Sequence, residues 1–271
     1  PQAYVDSRSG DKIDPELLKI IHKKNIPLFT NAHIEGCDGK KQVQEISVRD
    51  AEGIITKLKS EMLCVSGGFN PDVHLFTQSK GVLSWDDEYL TFKPDKSFQN
   101  TIVLGSNAGI FQYSKIVNDI NTKLSFLDHE PLLEIDLTLN DTDKYSIEKL
   151  WETKHEKESR WSKSFIDLQN DVTTKDLRQG IQEGFDRIEH LKRFTTNSMG
   201  TDQGKISSIN ALGIVSEILD KKVSEVGTTI YRPPYAPLSF ASIAGRGTYD
   251  FYDPERKTSI HEMSYRSGDR Y

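Results

Sequence analysis

Cysteine is scarce in this sequence, and basic residues are outnumbered by acidic ones. Only two of the 271 residues are cysteine, Cys37 and Cys64, too few for a disulfide framework or a four-cysteine metal site. This scarcity predicts a reducing, cytoplasmic setting. Lys and Arg number 35 against 41 Asp and Glu, which leaves a net charge of −6. The acidic balance excludes a general nucleic-acid binder, because such proteins are normally basic.

Long hydrophobic runs are absent as well. No apolar stretch approaches the ~20 residues that a membrane helix needs, so we expect no membrane contact. The first residues lack the charged and apolar regions of a secretory signal. The sequence starts at Pro1 and stops at 267–271 without a helix cap, so we expect a piece of a longer polypeptide. Hydrophobic residues reach only 35%, yet they cluster, which predicts folded domains.

The first 60 residues have the pattern of a helix followed by short strands. Asp14 and Pro15 suit the N-cap and the first turn of a helix over 14–25, and leucine and isoleucine residues supply its apolar face. The predicted strands are 26–30, a hairpin over 32–48 with its turn at Asp38-Gly39, and 54–59.

Two later stretches repeat a strand–glycine–helix design. The apolar run 62–65, which includes Cys64, predicts a strand buried on both faces, with a helix starting at 70–72. Residues 101–104 predict another strand, followed by a tight turn and a helix over 110–120. Such turns expose backbone N–H groups where phosphate and ribose groups bind. We therefore predict a dinucleotide-binding domain with these cofactor-binding residues: Gly105, Ser106, Asn107, Gly109, Gly67, Gly68 and Asn70.

The usual fingerprint of a dinucleotide site, Gly-x-Gly-x-x-Gly, does not occur in the sequence. The alternative interpretation is that the glycines only permit tight turns and close packing. Asp6, at a strand end, is a further candidate that would accept bonds from ribose hydroxyls, and its alternative is a solvated loop carboxylate. The histidines are scattered, and neither cysteine has the basic neighbours that activate a thiol. No catalytic residue and no metal site is predicted.

The second half of the sequence is helical and then extended. Residues 121–164 form a polar connector with one apolar strand pattern at 132–139. Thr173 and Asp176 have the spacing of a capping box, and a second helix is predicted over 205–219. The Tyr- and Pro-rich residues 226–247 predict an extended segment. Paired short helices also occur in helix-turn-helix DNA readers, which the acidic charge disfavours.

Several stretches occur in an order typical of one family. Residues 66–71 read Ser-Gly-Gly-Phe-Asn-Pro, residues 165–173 read Phe-Ile-Asp-Leu-Gln-Asn-Asp-Val-Thr, and residues 199–205 read Met-Gly-Thr-Asp-Gln-Gly-Lys. Residues 225–235 contain Glu-Val-Gly-Thr-Thr and then Tyr-Arg-Pro-Pro-Tyr. With Phe69 in place of a tryptophan, this series resembles the alpha subunits of heterotetrameric sarcosine oxidases over nearly the whole chain.

The resemblance implies an α/β fold class with a defined domain order. Residues 1–125 would be the C-terminal part of an FAD/NAD(P)-type dinucleotide-binding domain, and 126–164 would be a connector. Residues 165–222 would form a small all-α domain. Residues 223–271 would start an α+β aminomethyltransferase-like, folate-binding domain.

The small helical domain is also similar to the cluster-binding domain of bacterioferritin-associated ferredoxins. The four cysteine positions of that pattern fall on Asp167, Gln169, Thr201 and Gly204. Because none of them supplies a thiolate, we expect the fold without its cluster and no iron in this domain. The residues expected instead to cap helices or contact a neighbour are Asp167, Asp171, Asp202 and Gln203.

The resemblance implies a subunit of a flavin-dependent amine oxidoreductase. Such enzymes convert sarcosine to glycine and release the methyl carbon as formaldehyde or methylenetetrahydrofolate. The implied cofactors are NAD in this subunit, FAD and FMN in the complex, and tetrahydrofolate in the C-terminal domain. The implied partners are beta-, gamma- and delta-type subunits, with NAD binding and scaffolding as the role of this chain. The alternatives are an alpha-type subunit of a related N-methylglutamate, opine or proline dehydrogenase, and a non-catalytic assembly subunit.

Overall fold

The computed structural model describes residues 1–125, 145–153, 163–233, 236–247 and 257–267. The chain divides into two compact units, Pro1–Arg232 and Pro233–Tyr271. Within the described ranges, the first unit combines short strands with α-helices, so its fold is mixed α/β.

The strands of the first unit form small, separate sheets. Their bounds are Tyr4–Val5 (β1), Leu28–Phe29 (β2), His33–Asp38 (β3), Glu45–Arg49 (β4), Ile55–Lys59 (β5), Val82–Asp86 (β6), Thr91–Lys96 (β7), Phe165–Asp167 (β8) and Val172–Thr173 (β9). Strands β3, β4 and β5 form an antiparallel sheet in that order, and β6 with β7 and β8 with β9 form antiparallel pairs. A dinucleotide-binding domain requires parallel strands. In the described ranges, β1 with β2 is the one parallel pair.

The first helix forms where the sequence predicts it, at Pro15–Lys23 (α1). The Asp14 carboxylate caps it by accepting bonds from the N–H groups of Glu16 and Leu17 at 2.7 and 3.1 Å. The predicted hairpin and third strand are confirmed as β3, β4 and β5. Their inner face builds a small core with β1 and β2, formed by Ala32, Ile46 and Val48 with Val5, Phe29, Ile34, Val43, Leu58 and Leu63.

Two of the predicted strands are wrong. Residues 62–65 and 101–104 lie in no strand, and Met62 and Val65 are 73% and 79% exposed instead of buried. Cys64, expected inside, is also exposed. A strand needs a neighbour that satisfies its backbone groups, and no described segment pairs with these two runs. Local apolar character therefore does not suffice to place a strand.

No sequence pattern predicted the hairpin of β6 and β7. Its turn is held by the Asp86 carboxylate, which accepts bonds from the N–H groups of Glu88 and Tyr89 at 2.9 and 2.8 Å. Phe92 on β7 is buried in the same core as the later helices, with Trp85 edge-on to it at 5.1 Å between ring centroids. The hairpin therefore shares its core with the helical domain.

Four helices enclose this main core: Thr174–Gln182 (α4), Ile188–Thr195 (α5), Ser208–Leu219 (α6) and Val223–Val226 (α7). The predicted capping box is present, because the Thr173 N–H and hydroxyl both donate to Asp176 Oδ2 at 2.7 Å. Burial of each large apolar side chain in this core stabilises the fold by roughly 1.5–3 kcal/mol. The buried residues of the core are Phe92, Ile166, Leu177, Ile188, Leu191, Ala211, Leu212, Ile214, Val215 and Val223.

Helix α6 carries a glycine at its centre that admits an aromatic ring. A Cβ atom built on Gly213 would lie 2.2–2.6 Å from ring atoms of Trp151, closer than any real contact. Trp151 packs against the main core. A mid-helix glycine costs about 1 kcal/mol relative to alanine, so close packing of the indole ring is what offsets this cost.

We expect Gly213→Ala to destabilise the protein by about 1–2 kcal/mol, because displacement of Trp151 outweighs the gain in helix propensity. Urea unfolding followed by tryptophan fluorescence measures the change. Asn210→Ala is the matched control on an exposed position of the same helix and should stay within about 0.5 kcal/mol of the parent. A Gly213→Ala variant as stable as the Asn210→Ala variant would contradict this packing.

The second unit contains two short helices in its described ranges, Phe240–Ala244 (α8) and His261–Ser267 (α9). Helix α8 is capped by Ser239, whose hydroxyl accepts a bond from the Ser242 N–H at 3.2 Å. The predicted extended segment 226–247 is thus interrupted by a helix. The strand predicted at 132–139 lies outside the described residues. None of the helices described is both long enough and apolar enough to cross a bilayer.

Candidate functional site

Both glycine-bearing stretches lead into helices that begin a few residues later than predicted, His74–Gln78 (α2) and Tyr113–Leu124 (α3). Before α3, Gly105–Ala108 form a single 3₁₀ turn and Gly109 adopts the left-handed conformation at φ +80°. The turn predicted for residues 105–109 is therefore present, although no strand precedes it.

The Gly105 N–H group is already satisfied within the chain. It donates to Asp119 Oδ2 at 3.1 Å, and Asp119 forms an ion pair with Lys123 at 2.8 Å. Lys123 also donates to the Val103 carbonyl oxygen at 3.0 Å. This N–H group is unavailable to a phosphate, and the negative charge of Asp119 disfavours one nearby.

The other members of the turn differ in their access to solvent. Gly105 and Gly109 are buried, and a Cβ atom on Gly109 would lie 2.5 Å from the Cε atom of Lys93. Their role here is close packing, which was the alternative interpretation for these glycines. Ser106 and Asn107 are exposed, so their side chains are accessible from solvent.

Tyr145 holds the second predicted stretch, which contains Gly67, Gly68 and Asn70, through two hydrogen bonds to the backbone of Phe69. The Phe69 N–H donates to the Tyr145 hydroxyl at 2.8 Å, and that hydroxyl lies 3.0 Å from the Phe69 carbonyl oxygen, to which it donates. Gly68 has φ +94°, and a Cβ atom there would lie 3.0 Å from the same hydroxyl. Gly67 faces open space. The Asn70 amide oxygen accepts a bond from the buried Thr91 hydroxyl.

Four aromatic rings, which we call the aromatic cluster, connect these stretches: Phe69, Tyr89, Phe111 and Tyr145. Ring centroids of Phe111 and Tyr145 are 4.8 Å apart, and those of Phe69 and Phe111 are 5.9 Å apart. Tyr89 stacks on Tyr145 at 5.8 Å, and Lys93 Nζ lies 4.2 Å above the Tyr89 ring. The cluster brings the Gly68 stretch next to Phe111, two residues after the Gly105 turn.

Asp6 is a buried, fully engaged carboxylate. Arg8 donates to it from its backbone N–H and from Nε at 2.9 Å and from Nη2 at 2.8 Å. Burial alone would raise the pKa of Asp6, but the hydrogen bonds and charge of Arg8 outweigh it and hold that pKa below its usual value. Asp6 is only 8% exposed, so it is not the solvated loop carboxylate considered as its alternative.

Residues 145–146 bring the predicted site residues toward each other. Tyr145 contacts Phe69, while the Ser146 carbonyl oxygen accepts a bond from Arg8 Nη1 at 3.1 Å. Asp6 and the Gly68 stretch are thus linked through two adjacent residues. Sequence patterns did not single out Tyr145 or Arg8. The one feature of the sequence that could have indicated the role of Arg8 was its positive charge, two positions after the candidate carboxylate of Asp6.

We expect Arg8→Gln to destabilise the protein by about 2 kcal/mol at neutral pH, because it leaves the Asp6 carboxylate buried without its partner. The Asp6 pKa is lowered in the folded chain, so this contribution is present above the unfolded pKa and is lost as pH falls through the folded pKa. Thermal unfolding as a function of pH should show parent and variant converging in acid. Lys19→Gln removes the exposed pair with Glu16 and is the control. A pH-independent difference would contradict the assignment.

The four positions that match ferredoxin ligands lie close together in the helical domain. The Gln169 amide nitrogen donates to the Thr201 hydroxyl at 2.5 Å, and the Asp202 N–H donates to the Gln169 amide oxygen at 3.0 Å. Gly204 has φ +75°, and a Cβ atom there would collide with Ser208 and Ser198. Hydrogen bonds between these two loops hold them to each other.

Asp167 is the centre of this network and is 2% exposed. Its carboxylate accepts bonds from the N–H groups of Gln169 and Ser198 at 2.9 Å, and from the N–H and side-chain amide of Asn170 at 3.0 and 3.1 Å. Burial alone would raise the pKa of Asp167, but these four donors together lower it. The prediction that Asp167 has a structural role is confirmed.

A shallow cavity of about 280 Å³ opens beside this network. Its lining residues are Asp167, Leu168, Gln169, Thr201, Asp202, Lys205 and Ile206. No group of three or more His, Cys, Asp or Glu side chains with metal-binding geometry occurs in the part of the chain that the structure describes. The cavity combines polar side chains of this network with the exposed apolar side chains of Leu168 and Ile206.

We expect Asp167→Asn to destabilise the protein by roughly 2–3 kcal/mol, because an amide presents donors to N–H groups that need an acceptor. The parent should lose stability as pH falls through the lowered Asp167 pKa, whereas the variant should not. Asp171→Asn is the matched control, since Asp171 is exposed at φ +54° and asparagine tolerates that conformation. Urea unfolding measures both, and equal stability of the two variants would contradict the network's role.

Comparison with known proteins gives one family match. Residues 161–246 match the family described as the sarcosine oxidase A3 domain. This range contains the Asp167 network and the helices that carry it.

Three curated relatives are each named sarcosine oxidase subunit alpha. The Rhizobium meliloti (strain 1021) protein is 29% identical over 271 residues, which cover 98% of this chain and 26% of that protein. The Corynebacterium sp. (strain P-1) protein is 30% identical over 226 residues, which cover 79% of this chain and 23% of that protein. The Corynebacterium sp. (strain U-96) protein is 30% identical over 227 residues, which cover 81% of this chain and 23% of that protein. The chain thus spans about a quarter of the length of these relatives.

One solved structure has the same fold. The crystal structure of L-proline dehydrogenase from P. horikoshii superposes with a TM-score of 0.58 at 18% identity, covering 90% of this chain and 50% of that chain. The family match and the three curated relatives confirm the resemblance to sarcosine oxidase alpha subunits found in the sequence.

Proposed function

We propose that this chain, which belongs through residues 161–246 to the sarcosine oxidase A3 domain family, is part of the alpha subunit of an amine-oxidising flavoprotein. The observation that carries the proposal is the 29% identity to a sarcosine oxidase alpha subunit along 98% of the chain. A similarity of this extent includes the N-terminal stretches as well as the helical domain.

The proposed reaction of the whole enzyme is the oxidation of sarcosine to glycine. The methyl carbon leaves as formaldehyde or as methylenetetrahydrofolate. Flavin supplies the electron-accepting chemistry when bound, as FAD and FMN elsewhere in a complex with beta-, gamma- and delta-type subunits. This chain contributes binding and scaffolding in the cytoplasm, and no residue of it is assigned to the oxidation step. Residues 223–271 begin the folate-binding domain in this proposal.

The N-terminal residues 1–125 are proposed to bind NAD, and the geometry supports part of the predicted site. The exposed hydroxyl and amide of Ser106 and Asn107 suit ribose hydroxyls, and the backbone at Gly67 borders open space. The Gly105 N–H and the Asp6 carboxylate already have partners, so they fit a bound nucleotide less well. We therefore propose Ser106 and Asn107 as the principal contacts of this chain, with Gly67, Gly68 and Asn70 next.

A second candidate function is a proline dehydrogenase subunit. It is favoured by the fold shared with L-proline dehydrogenase over 90% of this chain. The two candidates differ in substrate and in the electron acceptor, so turnover assays separate them.

The test uses the full-length gene co-expressed with its neighbouring subunit genes. The purified complex is denatured, the released nucleotides and flavins are identified by chromatography, and turnover of sarcosine, N-methylglutamate and proline is measured. We expect NAD with flavin, and hydrogen peroxide formed only with sarcosine. Asn107→Ala should lower the NAD content at least about twofold, as loss of one hydrogen bond does. Asn118→Ala, an exposed change on α3, is the matched control and should leave it unchanged.

The outcomes separate the alternatives. Proline turnover without peroxide would overturn the sarcosine assignment in favour of the second candidate. Flavin with sarcosine turnover but without NAD would retain the enzyme and reject nucleotide binding by this chain. A complex without turnover of any of the three amines would indicate a non-catalytic assembly subunit.

A further inference from the structure

Phe69 is a large aromatic side chain that lies mostly in solvent. It is 67% exposed, whereas Tyr89, Phe111 and Tyr145, the other members of the aromatic cluster, are half-buried. A single exposed apolar side chain is common on protein surfaces and by itself indicates no function. Phe69 differs from such a residue because its backbone and its ring are both fixed in place.

The backbone of Phe69 is held by one hydroxyl group. The Tyr145 hydroxyl accepts a bond from the Phe69 N–H at 2.8 Å and donates to the Phe69 carbonyl oxygen at 3.0 Å. Burial raises the pKa of Tyr145, so at neutral pH this hydroxyl keeps the proton that it donates. Both backbone polar groups of Phe69 therefore have a partner that lies 76 positions away in the sequence.

The ring of Phe69 is supported by two other rings. Its centroid lies 5.9 Å from that of Phe111 with 26° between the ring planes, and 6.0 Å from that of Tyr145 with 40° between the planes. Ring pairs at such separations attract each other. Phe69 is thus anchored to the aromatic cluster while most of it stays open to solvent. An aromatic surface that is fixed in advance loses little entropy when a flat ligand group stacks on it.

The position of Phe69 joins the two stretches that are proposed to contact the nucleotide. It comes two residues after Gly67, whose backbone borders open space. Phe111, on which its ring stacks, lies two residues after the turn at 105–109, whose two polar side chains are exposed. A dinucleotide carries flat base rings as well as polar ribose and phosphate groups. The polar side chains of the turn suit the ribose, and Phe69 supplies the flat apolar partner that suits a base.

We propose that Phe69 is the stacking surface for a base of the bound dinucleotide, adenine or nicotinamide. This inference rests on the nucleotide binding proposed above for residues 1–125. Every base has a π face, so an exposed phenyl ring binds it by stacking without reading its hydrogen-bonding edge. Phe69 therefore contributes affinity, while the polar contacts at 105–109 orient the ligand.

The test measures nucleotide affinity in the full-length subunit within its complex. Bound nucleotide is removed, and isothermal titration calorimetry follows the binding of ADP-ribose, which carries adenine, and of nicotinamide mononucleotide. Phe69→Ala should weaken the binding of at least one of these probes by about fivefold or more, because the stacking of a base on an aromatic side chain is lost. The probe that loses affinity identifies the base that stacks on Phe69.

Two further variants separate stacking from a general disturbance of the surface. Phe98→Ala removes a phenylalanine that is 63% exposed and lies outside the aromatic cluster, so this variant should bind both probes as the parent does. Phe69→Trp keeps an aromatic ring and should retain the parental affinity. In that variant, nucleotide binding should also quench the fluorescence of the added indole, a change that the parent does not show.

The outcomes distinguish this inference from the proposed function. A parent complex that holds no NAD and binds neither probe would reject nucleotide binding by this chain and this inference with it. Binding by the parent, with unchanged affinity for both probes in Phe69→Ala, would overturn the stacking alone. Equal losses of affinity in Phe69→Ala and Phe98→Ala would overturn it as well. Release of another subunit from Phe69→Ala at unchanged nucleotide affinity would assign the ring to a protein contact instead.

Discussion

The buried carboxylate of Asp167 is the interaction on which the loops of the helical domain depend. Its two oxygens accept four N–H bonds from Gln169 and Asn170, which precede α4, and from Ser198, which follows α5. A carboxylate only accepts, so these donors and this acceptor are matched without water or a ligand. The loops at 167–170 and 198–202 are tied together through Asp167 and through the pair Gln169 and Thr201.

The same constraint, that buried polar groups must find partners, governs the N-terminal half. Asp6 is satisfied by Arg8, the Gly105 N–H by Asp119, and the Phe69 backbone by Tyr145. Groups whose sequence pattern suggests ligand binding are therefore already bonded within the chain. The exposed side chains beside them, rather than the glycines themselves, are left for recognition, which is why the proposed NAD contacts shift toward Ser106 and Asn107.

Features set by nearby residues could be predicted from the sequence. The Asp14 cap and the capping box of Thr173 and Asp176 both depend on contacts within one helical turn. Strands at 62–65 and 101–104 were predicted wrongly, because strand formation depends on a partner that local pattern does not reveal. The place of Phe92 in the helical core is likewise a long-range contact that no local pattern indicates.

The candidate site likewise has features that could be predicted from the sequence and features that could not. The turn at 105–109 follows from motif spacing, whereas the convergence of Asp167, Gln169 and Thr201 is what the resemblance to a ferredoxin domain implies. The roles of Arg8 and Tyr145 could not be predicted, because their partners are backbone groups of residues far away in sequence. The resemblance to a family identified the domain, whereas the bonding of each side chain required the structure.

Hydrogen exchange at the amides of Gln169, Asn170 and Ser198 tests the central claim, that the Asp167 carboxylate holds these loops without a cluster. At neutral pH the three amides should exchange only as slowly as the core of α6, through global unfolding. As pH falls and the carboxylate is protonated, their protection relative to the core should decrease together. Rapid exchange at neutral pH, at the rate of exposed amides, would show that the network does not hold the domain and would contradict the account.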